Sequence, residues 1–150
     1  MKSPEGQLAS FLAKYTPEIA TLGESILVEM RRRFPEALEL VYDNYNALAV
    51  GFSPTEKAGD AIFSIALYPK WVSLFFLQSK GLPDPDGLLQ GSGTVAKHIR
   101  LPFLKSLDDP AVRDLMAEAL SRARVPLDSG TSHRVIIKSI SEKQRPRRPA

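Results

Sequence analysis

The residues that could do chemistry in this chain are concentrated in one glycine-rich stretch, residues 81–101. Two Pro-Asp steps, followed by the three glycines Gly87, Gly91 and Gly93, precede a short basic segment that contains His98 and Arg100. Prolines fix the backbone angle φ and glycines permit positive φ, so a loop of this composition should have a defined shape. Because long ordered loops are uncommon unless they bind something, we predict a binding site in or beside this stretch.

His98 and Arg100 alternate with two apolar residues, so in a strand they lie on the same face. Just upstream, the backbone N–H groups around Ser92 and Gly93 could form a concave turn that holds an anion. Arginine also suits bidentate contact with a carboxylate or a phosphate. These four residues therefore predict a site for a small anionic ligand.

Asp84 and Asp86 allow two other interpretations of the same loop. They could pair with His98 and Arg100 and hold the loop shut as a structural clasp. The segment also superficially resembles a calcium loop, but the later ligands and the terminal bidentate glutamate are missing. With two histidines and no cysteine in the chain, a zinc site is not indicated either. We predict no metal site and no cofactor.

A second polar group, which includes Tyr42 and Asn44, lies at the first predicted turn. Tyrosine hydroxyls and asparagine amides bind small polar ligands, although turn chemistry and partial burial explain both residues equally well. Ser92, His98 and Asp86 formally supply a Ser-His-Asp set, but no strained nucleophile elbow is present. We therefore predict no catalytic residue and expect a binding domain rather than an enzyme.

Two helices are predicted ahead of these residues. Apolar residues recur at helical spacing over residues 8–15, and again over residues 19–34. Thr16 followed by Pro17 is typical of an N-cap with proline at the first helical position. Pro35 is expected to end the second helix.

Beyond Pro35 the pattern changes to short strands, over residues 38–42, 47–52, 61–68, 72–76 and 97–101. Short strands with close connections favour an antiparallel meander. Asp109 and Pro110 are typical of the start of a last helix, and residues 134–140 could add an edge strand. The pattern predicts an α+β fold, an antiparallel meander sheet of about five strands with the N-terminal helices and a C-terminal helix packed on one face.

The charge of the chain is unevenly distributed. The net charge is +3, yet residues 122–150 carry eight Lys and Arg against two acidic residues. We predict one domain over residues 1–141 and a basic, disordered tail over residues 142–150. Basic tails attract nucleic acid, but no aromatic residue is interleaved with these charges, so only weak nucleic-acid binding through the tail is expected.

The composition of the chain also bears on its cellular location and on the chemistry open to it. The absence of cysteine excludes disulfides and thiolate catalysis. No signal-peptide pattern opens the printed chain, and its apolar runs are shorter than a bilayer span. We therefore expect a cytoplasmic protein with no membrane partner, and the sequence leaves its oligomeric state open.

Three segments of the chain together resemble one family: residues 41–48, residues 61–76 and residues 82–101. They are similar to the YdhG-like family of domain-of-unknown-function proteins, and the similarity spans about residues 17–125. The resemblance implies a compact α+β domain. Some relatives are described as frataxin-like iron chaperones, which use exposed carboxylates on an acidic ridge. Here the corresponding long helix carries Glu18, Glu24 and Glu29 well spaced and then ends in three arginines.

The leading hypothesis is a non-enzymatic domain that binds a small anionic ligand or a protein partner near residues 81–101. One alternative, carried only by the resemblance, is a frataxin-like iron-binding chaperone. The other alternative is weak nucleic-acid binding through the basic tail.

Overall fold

The computed structural model describes residues 2–149. Its three α-helices are α1 (Pro4–Leu12), α2 (Pro17–Arg33) and α3 (Pro110–Ser121). Its six strands are β1 (Leu38–Asp43), β2 (Leu48–Ser53), β3 (Phe63–Leu67), β4 (Val72–Phe76), β5 (Lys97–Arg100) and β6 (Val135–Ile140). Short 3₁₀ helices lie at Ala58–Asp60 and Leu104–Asp108.

Helices α2 and α3 begin where the sequence predicted, whereas α1 spans Pro4–Leu12 and so begins and ends earlier than the pattern of residues 8–15 indicated. The Thr16 hydroxyl accepts a hydrogen bond from the backbone N–H of Ile19, and Pro17 occupies the first turn of α2, where a missing N–H costs nothing. Asp109 caps α3 in the same way, accepting from the N–H of Ala111. The apolar stripes of all three helices are buried in a single hydrophobic cluster with one face of the sheet.

The sheet has the strand order β5-β4-β3-β2-β1-β6. Strands β1 to β5 form the predicted antiparallel meander, but β6 lies parallel to β1. The sheet is therefore mixed and has six strands, which corrects the prediction of about five antiparallel strands. The long connection through α3 accounts for the difference, because it carries the chain from the β5 edge to the opposite edge, where β6 enters in the direction of β1.

The two faces of the sheet differ in side-chain size. The face toward the helices carries large apolar residues that pack into the core, among them Val50, Ile65 and Leu74. The opposite face, called here the open face, has small residues at its centre: Ala49, Gly51, Ser64, Ala66 and Ser73. Gly23 lets α2 approach the core face closely, since a Cβ there would stand 2.5 Å from the Cδ2 atom of Leu67.

The C-terminal segment packs against the fold, whereas the sequence predicted a disordered tail over residues 142–150. The guanidinium of Arg147 is buried and donates a 2.9 Å hydrogen bond to the carboxylate of Asp43 at the end of β1. Arg148 donates to the backbone carbonyls of Ala13 and Lys14, which follow α1. A buried carboxylate explains why this charged segment is held, and only Ala150 of the predicted tail lies outside the described residues.

Candidate functional site

His98 and Arg100 lie on the open face of β5, as their alternation predicted. Their neighbour Ile99 pairs with Leu74 of β4 on the core face. The His98 ring packs against the ring of Phe75, with 5.0 Å between centroids and 35° between planes. His98 is thus held by an aromatic contact and by the backbone, since its N–H and C=O both bond to Gln90.

Arg100 is exposed, and the stacked rings of Trp71 and Tyr68 position its side chain. Its guanidinium carbon lies 4.1 Å from the centroid of the Trp71 ring. Tyr68 stacks on Trp71 at 5.3 Å and 26°, and burial raises the pKa of the Tyr68 hydroxyl. Because β4 lies between β3 and β5, Trp71 has Tyr68 on one side and Arg100 on the other. Within residues 2–149, no carboxylate pairs with Arg100.

The clasp between the loop aspartates and the two basic side chains, which was an alternative interpretation of this loop, is not formed by the described residues. The carboxylate of Asp84 instead accepts 2.9 Å hydrogen bonds from the backbone N–H groups of Leu88 and Leu89. Asp86 is exposed and takes part in no ion pair within the described part of the chain. The loop therefore closes on its own backbone, which leaves Arg100 available to a ligand.

The glycines at the end of the loop differ from one another. Gly91 has a φ of 112°, a positive value of the kind that glycine permits, and lies beside the His98 ring. Gly93 has no positive φ, but a Cβ there would stand 2.9 Å from the carbonyl oxygen of Ala96. Ser92 and Gly93 are exposed, and no hydrogen bond within residues 2–149 joins them to His98 or Arg100. The predicted anion-binding turn is thus near His98 but is not joined to Arg100.

Tyr42 and Asn44 lie far from this group. Four strand spacings separate β1 from β5, which is about 19 Å. The Tyr42 hydroxyl is buried without a hydrogen-bond partner among the described residues, and burial raises its pKa. The carbonyl oxygen of Asn44 accepts a hydrogen bond from Arg147. These two residues therefore do not share a site with His98 and Arg100, because three strands of the meander lie between β1 and β5.

A cleft of about 1010 Å³ opens beside Arg100. We call it the Arg100 cleft; it lies between the start of α2, the β3–β4 turn and the segment that follows β5. Most of its lining is apolar, and Phe103 and Leu104 keep 69% and 40% of their surface exposed there. The charged residues at its wall are Glu18, Lys70 and Arg100. The cleft thus combines an exposed apolar floor with two cations.

Two buried carboxylates, which the sequence analysis did not single out, lie on the core face of β1. Glu39 has a side chain with no exposed surface, and Arg31 donates to it at 2.6 and 3.0 Å while His133 contacts it from the other side. Asp43 is equally buried and is bonded by Lys14 at 2.7 Å and by Arg147. The sequence does contain a signal for their burial. Residues 39 and 43 alternate with Val41, so in a strand they lie on the same face as this buried apolar residue.

The pKa of Asp43 reflects opposing effects. Burial by itself raises the pKa of this carboxyl, but hydrogen bonds from Lys14, Gln144 and Arg147 outweigh burial and hold the pKa below its ordinary value. Asp43 is therefore ionised in the folded protein at neutral pH. It acts as a buried anchor for the cations around it.

Comparison with known proteins adds no identification: no family model, curated protein or solved structure matches this chain. In the part of the chain that the structure describes, no group of three or more His, Asp or Glu side chains could hold a metal ion. No helix among residues 2–149 is long and apolar enough to cross a membrane.

Proposed function

We propose that this chain is a non-enzymatic binding domain that takes an anionic ligand with an apolar portion in the Arg100 cleft. The observation that carries the proposal is the state of Arg100. Its guanidinium is exposed, held against Trp71 and paired with no carboxylate of residues 2–149. An arginine whose position is fixed by stacking loses little conformational freedom when it binds a carboxylate or a phosphate.

The apolar portion of the ligand follows from the floor of the cleft. Phe103 and Leu104 expose large apolar surfaces next to Ile19 and Leu22 of α2. Covering such surface favours binding by roughly 25 cal/mol for each Å² removed from water. An amphipathic anion, with a head at Arg100 and a body along Phe103, would use both features of the cleft.

Thermal unfolding with added anions tests this proposal. At about 100 times its Kd, a ligand stabilises the folded state by about 2.7 kcal/mol, which raises the Tm of a chain of this length by roughly 5–10 °C. We expect octanoate to produce such a shift and sulfate a smaller one. Arg100→Ala should abolish both shifts, and Phe103→Ser should reduce the octanoate shift alone.

Arg134→Ala is the matched control. Arg134 is an exposed arginine just before β6, at the end of the sheet opposite the β3–β4 turn, and its ion pair with Glu56 is also exposed. Its removal should leave the anion shifts unchanged. The proposal is wrong if octanoate gives no shift, or if Arg134→Ala and Arg100→Ala reduce the shift equally.

Membership of the YdhG-like family, and the frataxin-like iron binding that it implies, stays an alternative proposal. Of the three carboxylates that it would use, Glu29 is bonded to Arg32 and Arg33. Glu18 and Glu24 border different clefts. A titration with ferrous iron separates the two proposals: micromolar binding that is lost when Glu18, Glu24 and Glu29 are neutralised would favour the chaperone.

A further inference from the structure

The Arg100 cleft does not end at Trp71. A second groove of about 980 Å³ begins there, at the end of the sheet where the β1–β2 and β3–β4 turns lie. Lys70 and Trp71 line both hollows. We call the second hollow the tail groove, because its far wall is the C-terminal segment. The full lining is Asn46, Tyr68, Pro69, Lys70, Trp71, Arg145, Pro146, Arg148 and Pro149.

The wall formed by the C-terminal segment is fixed by specific contacts. Arg147 anchors it through Asp43, and the backbone N–H of Arg145 donates to the carbonyl oxygen of Tyr45. These contacts place the Arg145 guanidinium 5.7 Å from the centroid of the Tyr45 ring. Arg148 is held by the carbonyls after α1. The arginines at positions 145 and 148 are therefore held at the groove although the segment has no regular secondary structure.

The two hollows share an unbalanced positive charge. Lys70, Arg100, Arg145 and Arg148 are all exposed, and none forms an ion pair within residues 2–149. No carboxylate lines the tail groove, and Glu18 is the one acid among the residues that line the Arg100 cleft. A ligand with a single charged group cannot contact four cations spread over two hollows. A polymer with repeated negative charges can contact several of them at once.

Two tyrosines accompany these cations. Tyr45 keeps 49% of its surface exposed and lies beside the tail groove, where the Arg145 guanidinium packs against its ring. Tyr68 is half-buried, stacks on Trp71 and lines the tail groove. Trp71 is less accessible, because Tyr68 and Arg100 flank its ring. Cations beside accessible aromatic rings are the features with which proteins bind single strands, whose bases are free to stack.

We infer that the tail groove and the Arg100 cleft together form a binding site for single-stranded nucleic acid. Phosphates contact Lys70, Arg100, Arg145 and Arg148, while bases stack on Tyr45 and Tyr68. The inference rests on the proposed function, since Arg100 supplies one of the four phosphate contacts. It goes beyond the expectation of weak binding through the tail alone, because the fold brings Tyr45 and Tyr68, from two β-turns, next to the arginines of the tail.

The test is the salt dependence of binding to a fluorescently labelled oligothymidylate, followed by anisotropy. Four phosphate contacts give a slope of about −2.8 for log K against log salt, because each contact on a single strand contributes about −0.7. Affinity should then fall about 50-fold between roughly 50 and 200 mM salt. In the double variant Arg145→Ala/Arg148→Ala the slope should be about −1.4, and the same change in salt should weaken binding only about 7-fold.

The variants of the tyrosines separate stacking from charge. Tyr45→Ser and Tyr68→Ser should each weaken binding about tenfold or more with an unchanged salt slope, as expected when a base loses its stacking partner. The matched control is Lys57→Ala/Arg134→Ala, which removes two exposed cations at the opposite end of the sheet. It should keep the full slope. The melting temperature of each variant checks that the fold is retained.

The outcomes are distinct. No binding of the oligonucleotide at low salt, or an equal loss of slope in the control variant, would overturn the inference. Equal affinity for duplex DNA or for polyglutamate would also overturn it, because neither offers free bases. If oligonucleotide binding fails while the octanoate shift and its dependence on Arg100 persist, only this inference is wrong. If Arg100→Ala changes neither the octanoate shift nor the slope, the proposed function is wrong as well.

Discussion

Replacement of Arg147 by methionine should destabilise the protein, although the residue lies in a segment without regular secondary structure. The Arg147 side chain is 4% exposed and pairs with Asp43, whose side chain has no exposed surface. Removing one partner of a buried ion pair costs about 3–5 kcal/mol. Because Lys14 remains 2.7 Å from the same carboxylate, we expect the lower end of this range, about 3 kcal/mol.

Urea denaturation followed by fluorescence of Trp71 measures this loss. Asp43→Asn and the double variant Asp43→Asn/Arg147→Met complete a double-mutant cycle, in which two residues in direct contact should couple by about 1–3 kcal/mol. Arg145→Met is the matched control, since Arg145 is exposed and pairs with no carboxylate among the described residues. It should change the free energy of unfolding by less than about 0.5 kcal/mol.

The pH dependence of the free energy of unfolding tests the same ion pair independently. The folded state holds the pKa of Asp43 below its ordinary value, so this group contributes stability that is fully present above the unfolded pKa of about 3.9. That contribution is lost as the pH falls through the lower, folded pKa. The loss should be smaller in Arg147→Met. A free energy of unfolding that is unchanged by Arg147→Met, with no coupling to Asp43, would refute the docking of the segment.

Three further predictions concern the rest of the fold. Gly91→Ala should destabilise the protein by about 1–3 kcal/mol in urea denaturation, because a side chain is strained at a φ of 112°; a neutral result would mean that this turn relaxes. Gly23→Val should cost about 1–3 kcal/mol by forcing α2 off Leu67, and a stable variant would show that the two elements are less tightly packed. Hydrogen bonds from Arg32 and Arg33 lower the pKa of Glu29 to about 2, so its carboxyl carbon should titrate near that value by NMR. A pKa near the ordinary value of about 4.3 would show that these ion pairs do not persist in solution.

The elements of the fold were largely predictable, because each depends on a local pattern. The proline that follows Thr16 marks the start of α2, and the alternation around Ile99 assigns the faces of β5. The position of β6 was not predictable in the same way. Its residues indicate a strand, but the choice of β1 as its parallel partner depends on the path of the chain after α3, which no local pattern encodes.

The site was predicted only in part, and the reason is electrostatic. Arg100 was identified from its alternation in β5, but its aromatic support comes from Trp71, which the sequence analysis assigned no role in a site. Arg147 was assigned to a disordered tail because single charges in a proline-rich segment are usually solvated. What holds it is Asp43, a carboxylate about a hundred positions earlier. The partner of a charge is set by tertiary structure, so composition alone cannot distinguish an anchored arginine from a solvated one.

The anchor and the proposed ligand site are thermodynamically linked. Asp43 binds Arg147, and this contact holds the neighbouring arginines at the groove, where their charges face outward. Loss of the anchor would weaken the docking of the segment that carries Arg145 and Arg148, and oligonucleotide affinity should fall even though Arg147 itself contacts no ligand. Conversely, a ligand that binds only when the segment is docked must stabilise the docked state. The free energy by which the ligand favours docking equals the free energy by which docking favours ligand binding. The oligonucleotide should therefore raise the Tm of the wild type more than that of Arg147→Met.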